Sequence, residues 1–214
     1  EAGLPKGVLN ILHGTGPSIG SVMVEHPEVK AISFTGGTNT GKHIASVAAP
    51  MFKKLSLELG GKNPNIIFAD ADLDKAVETT VNSSFMNQGE ICLCGSRIYV
   101  QKEIFEQFKE KFIPKVKALK VGNPAEEDTR VGAIVSQGHF EKVLSYIELA
   151  KDENATILTG GEAVKVDGME DGWYIAPTIL EGLSNDSACN MEEIFGPVVT
   201  VSTFETREEA IALA

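Results

Sequence analysis

The sequence predicts an α/β fold of parallel βαβ units. Short runs rich in β-branched and aromatic residues, such as NIIFAD at 65–70, are typical of strands. Longer segments with apolar residues at helical spacing, such as KEIFEQFKEKFIPKVKAL at 102–119, stand between them. Because strands that are separated by helices pair in parallel, this alternation indicates a parallel sheet with helices packed on it.

Predicted elements in the N-terminal half are separated by glycines or by helix-capping residues. The strand at 30–34 ends at two glycines, and apolar residues at helical spacing follow over 40–52. An alternating segment at 53–61 breaks at two more glycines. The strand at 65–70 leads into a helix predicted over 73–87, for which one of the two aspartates before it is the N-cap.

The C-terminal half continues the same pattern. A strand is predicted at 97–101, a polar loop at 122–129 and a helix at 137–153. The helix at 102–119 places three phenylalanines on one face, and these are predicted core residues: Phe105, Phe108 and Phe112. The remaining strands are predicted at 155–161, 173–180 and 198–204.

Composition and charge disfavour several classes of function. Of the 214 residues, 43% are hydrophobic and 23% are charged, as in an ordinary globular protein. The net charge of -11 predicts no nucleic-acid and no anionic-membrane partner, since like charges repel. No apolar run reaches the roughly 20 residues of a membrane span, and no secretory leader is visible. Too few cysteines are present for a disulfide framework, so a reducing, cytoplasmic setting is predicted.

The two ends of the sequence predict an internal fragment of a longer protein. The chain opens on Glu1 rather than on methionine. It stops at Ala214 inside the apolar-periodic segment REEAIALA, without a helix stop signal. We therefore expect parts of the domains to lie outside the chain.

The glycine-rich segment GGTNTGK at 36–42 has two interpretations. Its G-x-x-x-x-G-K spacing, after a strand and before a helix, is that of the phosphate-binding loop of nucleotide hydrolases. However, His43 stands where magnesium binding requires a serine or threonine hydroxyl. The alternative is a turn into a helix whose N-terminal amides meet a phosphate of a dinucleotide cofactor.

Cys92, in the segment NQGEICLCGSR, is the candidate nucleophile. A reactive thiol has to be exposed and must ionise readily. Gly89 and Gly95 let the backbone around it come close to a ligand. The alternative is that Cys92 and Cys94 are both buried as small apolar residues. No metal site is predicted, because C-x-C lacks a second ligand pair and the four histidines are scattered, with His139 in a helix among solvent-facing neighbours.

Glu58 is the candidate general base. It alternates with leucines in LSLELGG, where a carboxylate is either badly placed or functional. Burial among apolar side chains makes a carboxylate a stronger base, and the two glycines that follow leave room for a bulky ligand. The alternative is a strand glutamate that pairs with a nearby lysine: Lys53, Lys54 or Lys62.

Four motifs follow one another along the chain in a family-specific order. They are FTGG-x-x-x-G at 34–41, LELGGK at 57–62, NQGEIC with a trailing GSR at 87–97, and EEIFGPV at 192–198. In this order, and in the spacing between Glu58 and Cys92, the sequence resembles the aldehyde dehydrogenases over essentially its whole length. Within that family, KKLSLELGGKNP and NQGEICLC are most similar to the 2-aminomuconate semialdehyde dehydrogenase branch.

The resemblance implies a reaction for the two candidate catalytic residues. Cys92 would attack an aldehyde, for which a semialdehyde is one candidate, and its own N–H would help to stabilise the oxyanion. Hydride transfer to NAD, or alternatively to NADP, would leave a thioester. Water activated by Glu58 would then hydrolyse the thioester to the carboxylic acid.

The resemblance also assigns the remaining site residues. Six would contact the cofactor: Gly36 and Gly37 beside the pyrophosphate, Leu59, Gly60 and Phe195 beside the nicotinamide, and Glu193 on its ribose. Ile91 and Leu93 flank the nucleophile and would line the substrate tunnel. Glu90 stands where many members carry glutamine, and this departure adds a negative charge two residues from the thiol.

The resemblance divides the chain into two parts. Residues 1–60 would be the C-terminal portion of a Rossmann-like dinucleotide-binding domain, and residues 61–214 most of the catalytic domain, truncated at its C-terminus. The full-length protein would be a homo-oligomer. Because one oxyanion donor and half of the cofactor site would lie outside the chain, we expect the 214-residue piece alone to show no dehydrogenase turnover. A non-catalytic member of the fold, such as a lens crystallin, is the other alternative.

Overall fold

The computed structural model describes residues 3–214, which separate into two compact units. One unit ends at Gly60, and the other runs from Gly61 to Ala214. Each unit contains parallel strands with helices beside them, so the predicted α/β class is confirmed. The assignment of the two units to a cofactor domain and a catalytic domain stays a prediction.

The first unit is a parallel pair of strands with helices in the connections. Its elements are a π-helical turn at Gly16–Gly20, α1 at Ser21–Glu25, β1 at Ala31–Thr35, α2 at Thr38–Ala48, a 3-10 turn at Ala49–Met51 and β2 at Lys54–Glu58. The register places Ala31 opposite Lys54 and Thr35 opposite Glu58. Lys53 Nζ donates to the Val24 carbonyl at 2.5 Å and to the His26 carbonyl at 2.7 Å, which attaches the start of β2 to the end of α1.

The second unit is built on a five-stranded sheet of order β3-β4-β9-β8-β5. Its strands are β3 at Asn63–Ile67, β4 at Gly95–Gln101, β5 at Thr156–Thr159, β6 at Ala163–Val164, β7 at Tyr174–Ile175, β8 at Thr178–Glu181 and β9 at Val198–Phe204. Its helices are α3 at Leu73–Phe85, α4 at Phe105–Lys117, α5 at Gln137–Asp152, α6 at Ala188–Met191 and α7 at Arg207–Leu213. The pairs β3–β4, β4–β9 and β8–β9 are parallel.

Strand alternation sorts the side chains of this sheet into two cores. Ile179 of β8 packs with residues of α3 and α4, whereas the next residue, Leu180, packs with residues of α5 and α6. The three predicted core phenylalanines are all buried in the first of these cores, and that prediction is confirmed: Phe105, Phe108 and Phe112. Asp72 is the N-cap of α3 and accepts a hydrogen bond from the Lys75 N–H at 3.2 Å.

One edge of the otherwise parallel sheet departs from the predicted pairing. β5 pairs antiparallel with β8, and β6 pairs antiparallel with β7. No helix lies between β5 and β8, so the chain has no crossover that would carry it back to the same end of the sheet. The strand predicted at 173–180 is also divided, because Pro177 has no N–H to donate to a neighbouring strand.

Within residues 3–214, no helix combines the length and the apolar character that are needed to cross a membrane.

Candidate functional site

Cys92 lies on a strained loop between α3 and β4, which we call the nucleophile loop (residues 86–94). Three consecutive residues have left-handed backbone angles, with φ of 50° at Asn87, 47° at Gln88 and 73° at Gly89. Such angles are costly for residues other than glycine and persist only where surrounding contacts hold them. At Gly89 an added Cβ would lie 2.2 Å from the carbonyl oxygen of Gly196, so a side chain at this position is excluded.

The three cysteines differ in exposure. Cys92 is exposed, whereas Cys94 and Cys189 are buried. Burial raises the pKa of the Cys94 thiol and the pKa of the Cys189 thiol, which keeps both protonated. Asn63 Nδ2 donates to the carbonyls of Cys92 and Cys94, at 2.7 and 3.1 Å, and so fixes the backbone on both sides of Leu93. An exposed thiol on a fixed backbone is the arrangement that a nucleophile requires.

Glu193 and Phe195 line the same small cavity in the second unit as Gly61 and Ile91. Glu193 Oε1 accepts a hydrogen bond from the Gly61 N–H at 3.2 Å, and the Glu193 carbonyl accepts one from Lys142 Nζ at 2.9 Å. Phe195 has a left-handed φ of 59°. The structure therefore brings Glu193 and Phe195 close to Ile91, the residue that precedes Cys92.

Ile91 and Leu93 line a second pocket, of about 400 Å³, against α3. The other lining residues include hydroxyl, amide and thioether side chains: Thr79, Asn82, Ser83 and Met86. The pocket is mostly apolar with a few polar groups, which is typical of a small-molecule site. No charged side chain is among the residues that line it.

In the first unit, Gly36 and Gly37 form the turn from β1 into α2. The Gly36 N–H donates to the carbonyl of Glu58 at 3.0 Å. Gly37 is the N-cap of α2, supplies no side-chain cap, and has open space where a Cβ would stand. The first-turn amides of α2 therefore fit a phosphate group. Beside this turn lies an open cavity of about 710 Å³ with a mostly apolar lining that includes Met23, Val24, Val29, Ile32, Ile44 and Val47.

The predicted burial of Glu58 is wrong. Glu58 is the last residue of β2 and is exposed. Leu59 packs against α2, where an added Cβ on Gly41 would lie 2.4 Å from its Cδ2 atom. Because neighbouring side chains on a strand face opposite sides, Glu58 faces away from α2. Glu58 and Leu59 belong to the first unit and Cys92 to the second, so a shared site for Glu58 and Cys92 stays a prediction.

Two functional candidates escaped the sequence analysis. His139, predicted to lie in a helix among solvent-facing neighbours, has a side chain that is only 16% exposed and contacts Glu90 and the Phe195 carbonyl. The pKa of Lys62 is lowered from 10.5 to about 8, chiefly because its amine is buried. The only signal in the sequence that bears on His139 was Glu90, because a carboxylate beside the nucleophile calls for a partner, and His139 contacts it. Among residues 3–214, no cluster of histidine, cysteine, aspartate and glutamate is arranged to hold a metal ion.

Replacement of Lys62 by methionine is expected to stabilise the second unit at neutral pH. The folded state binds the Lys62 proton less tightly than the unfolded chain, so charged Lys62 destabilises the fold below pH 8. This penalty disappears as the pH rises from about 8 to 10.5. At pH 7 the free energy of unfolding should rise by about 3 kcal/mol in Lys62→Met.

Urea unfolding at pH 7 and at pH 10 would measure this effect. Lys75→Met, at an exposed position on α3, is the matched control and should leave the free energy of unfolding nearly unchanged. A stabilisation by Lys62→Met that does not shrink at pH 10, or a loss of stability at pH 7, would contradict the assignment.

Comparisons with known proteins support the four motifs. The model of the aldehyde dehydrogenase family matches residues 1–214. The 2-aminomuconic semialdehyde dehydrogenases of Bos taurus and Homo sapiens are each 48% identical to the chain over 217 residues. These alignments cover 100% of this chain and 45% of each relative. The predicted similarity to this branch is therefore confirmed.

A solved structure gives the same result for the fold. The betaine aldehyde dehydrogenase of Staphylococcus aureus, in complex with NAD+, superimposes with a TM-score of 0.95 at 45% identity. The match covers 99% of this chain and 42% of that chain, so the chain spans less than half the length of the relatives it matches. The family match also replaces the nucleotide-hydrolase interpretation of GGTNTGK. The chain belongs to the aldehyde dehydrogenase family.

Proposed function

We propose that this chain carries the catalytic core of an enzyme that oxidises an aldehyde to a carboxylic acid with NAD. The observation that carries the proposal is the exposed Cys92 on its strained loop, beside buried Cys94. Family membership and the NAD+ complex of the Staphylococcus aureus relative support the reaction type and the cofactor. A semialdehyde is the proposed substrate class, by analogy with the named relatives at 48% identity.

The chemistry begins at the sulfur of Cys92. Its thiolate attacks the aldehyde carbon, which turns the carbonyl oxygen into an oxyanion and gives a thiohemiacetal. The Cys92 N–H, which has no hydrogen-bond partner within the described chain, is the proposed donor to that oxygen. The pocket lined by Ile91 and Leu93 would hold the rest of the substrate.

Each unit carries groups that suit a different part of the cofactor. In the first unit, the uncapped N-terminus of α2 at Gly37 suits the pyrophosphate, and the apolar cavity beside it suits a flat aromatic ring. In the second unit, Glu193 offers a carboxylate to a ribose hydroxyl, and Phe195 offers an apolar surface. When bound, NAD supplies the hydride acceptor that makes the oxidation possible.

Glu58 completes the proposed reaction as the general base. It takes a proton from water, and the resulting nucleophile attacks the thioester at Cys92. The carboxylic acid leaves and the Cys92 thiolate is regenerated. The exposed position of Glu58 in its unit leaves its carboxylate accessible to water.

Acylation by an activated ester tests the nucleophile without the cofactor. Reaction with p-nitrophenyl acetate should place one acetyl group on Cys92, and Cys92→Ser should lower the rate of p-nitrophenol release by about 10³-fold or more. Cys94→Ser is the control and should react like the wild type, because Cys94 is buried. Equal rates for the wild type and Cys92→Ser would refute the proposal and favour a non-catalytic protein of the same fold.

A further inference from the structure

The carboxylate of Glu90 is buried beside the nucleophile loop. Its side chain is only 7% exposed. Glu90 Oε1 accepts a hydrogen bond from the Val135 N–H at 3.1 Å, and Oε2 accepts one from Gln88 Nε2 at 3.3 Å. The side-chain amide of Gln88 contacts the same segment, because its Oε1 accepts a hydrogen bond from the Gly132 N–H at 3.2 Å. Glu90 and Gln88 together attach the nucleophile loop to the segment that leads into α5.

His139 reaches the same carboxylate from the first turn of α5. Its Nε2 lies 3.6 Å from Glu90 Oε1 and 2.5 Å from the carbonyl oxygen of Phe195. Because a carbonyl oxygen only accepts hydrogen bonds, His139 Nε2 carries the hydrogen and donates a hydrogen bond to the Phe195 carbonyl. The backbone of His139 is also held in place, because its N–H donates a hydrogen bond to the Oγ atom of Ser136, which is the N-cap residue of α5.

These contacts join two strained segments. The nucleophile loop has left-handed Asn87 and Gln88, and the segment that carries Glu193 has left-handed Phe195. Gly89 of the first segment packs directly on Gly196 of the second. Non-glycine residues keep left-handed angles only where neighbouring groups hold them, and Glu90 and His139 provide such groups on both segments.

We propose that Glu90 and His139 are positioning residues that hold the Cys92 loop and the Phe195 backbone together in their strained conformations. The pair contacts neither the thiol nor the pocket that would take the aldehyde. It acts through the backbone of residues 87–92 and through the carbonyl of Phe195. The inference rests on the proposed function only in treating Cys92 as the nucleophile.

The three cysteines report on this arrangement when they react with iodoacetamide. Cys94 is buried at the end of the nucleophile loop, whereas Cys189 is buried in α6, against α5. Release of the loop should expose Cys94 and leave Cys189 protected. The alkylation rate of Cys94 would be measured by peptide mass spectrometry on the full chain. We expect this rate to rise about tenfold in Glu90→Ala and in His139→Ala. Release of one strained residue shifts the equilibrium between the closed and the open loop by about this factor.

Two further variants separate positioning from general destabilisation. Glu90→Gln keeps an oxygen for the Val135 N–H and should restore protection of Cys94 close to the wild-type level. Glu141→Gln removes a carboxylate from the exposed face of α5 and should change neither rate. Unchanged protection of Cys94 in both alanine variants would overturn the proposal. So would alkylation of Cys189 that rises in step with Cys94, because that pattern indicates unfolding of the whole unit.

The outcome does not depend on dehydrogenase turnover. If Cys92 is not the nucleophile, Cys92→Ser releases p-nitrophenol as fast as the wild type, whereas the alkylation rates of Cys94 and Cys189 still report whether Glu90 and His139 hold the loop. Failure of the proposed function and failure of the positioning proposal are therefore distinguishable.

Discussion

Replacement of Glu58 by glutamine is expected to trap an acyl group on Cys92. General base catalysis typically contributes about 10²–10⁴-fold to a rate, so hydrolysis of the thioester should slow by this factor. Formation of the thioester should remain fast, because it depends on the thiol and not on Glu58. The glutamine side chain has nearly the same shape and leaves the backbone bond from the Gly36 N–H to the carbonyl of residue 58 in place.

Mass spectrometry of the full-length protein would measure this effect. After a pulse of p-nitrophenyl acetate, the acetylated form should persist in Glu58→Gln and disappear in the wild type. Glu25→Gln, at an exposed position on α1, is the matched control and should lose its acetyl group at the wild-type rate. If Glu58→Gln is deacylated as fast as the wild type, a different residue activates the water.

A methyl group at position 89 is expected to cost more stability than any other single methyl group added to the nucleophile loop. Gly89→Ala combines a left-handed φ of 73° with a Cβ that would stand 2.2 Å from the Gly196 carbonyl oxygen. The obstacle is backbone and not a flexible side chain, so one of the two segments has to move. We expect the free energy of unfolding to fall by about 2–4 kcal/mol, as for backbone strain combined with overpacking.

Gly138→Ala provides the control for this prediction. Gly138 lies in α5, has open space where a methyl group would stand and needs no left-handed angle. Alanine is the better helix former, so this variant should be more stable than the wild type by about 0.5–1 kcal/mol. Thermal unfolding of both variants would measure the difference. A Gly89→Ala protein as stable as the wild type would show that the two segments do not meet as described.

Local sequence patterns account for most of the fold. Apolar spacing predicted α4 and its three buried phenylalanines, because helix amphipathicity is a property of neighbouring residues. Run length and β-branched composition predicted the strand at 198–204, which coincides with β9. The direction of β5 was not predictable in the same way. It depends on the route between β5 and β8, and only the absence of a helix from that connection hinted at an antiparallel pair.

The residues of the candidate site also differ in whether local sequence features reveal them. Cys92 was recognisable because its motif and flanking glycines are local features of the sequence. His139 was not, since its partners Glu90 and Phe195 are far from it along the chain and meet it only after the sheet has formed. The same limit explains the error at Glu58. Leucines on both sides suggested burial, but alternation along β2 places them on the other face.

The pairing of β1 affects how the 214-residue chain, taken by itself, behaves at high concentration. Among the described residues β1 is joined to β2 alone, so its outer margin presents a row of amide and carbonyl groups that can template another polypeptide. For the 214-residue chain studied by itself, aggregation should therefore start at this margin, and charged residues introduced along β1 would improve its solubility without changing the unit that carries Cys92.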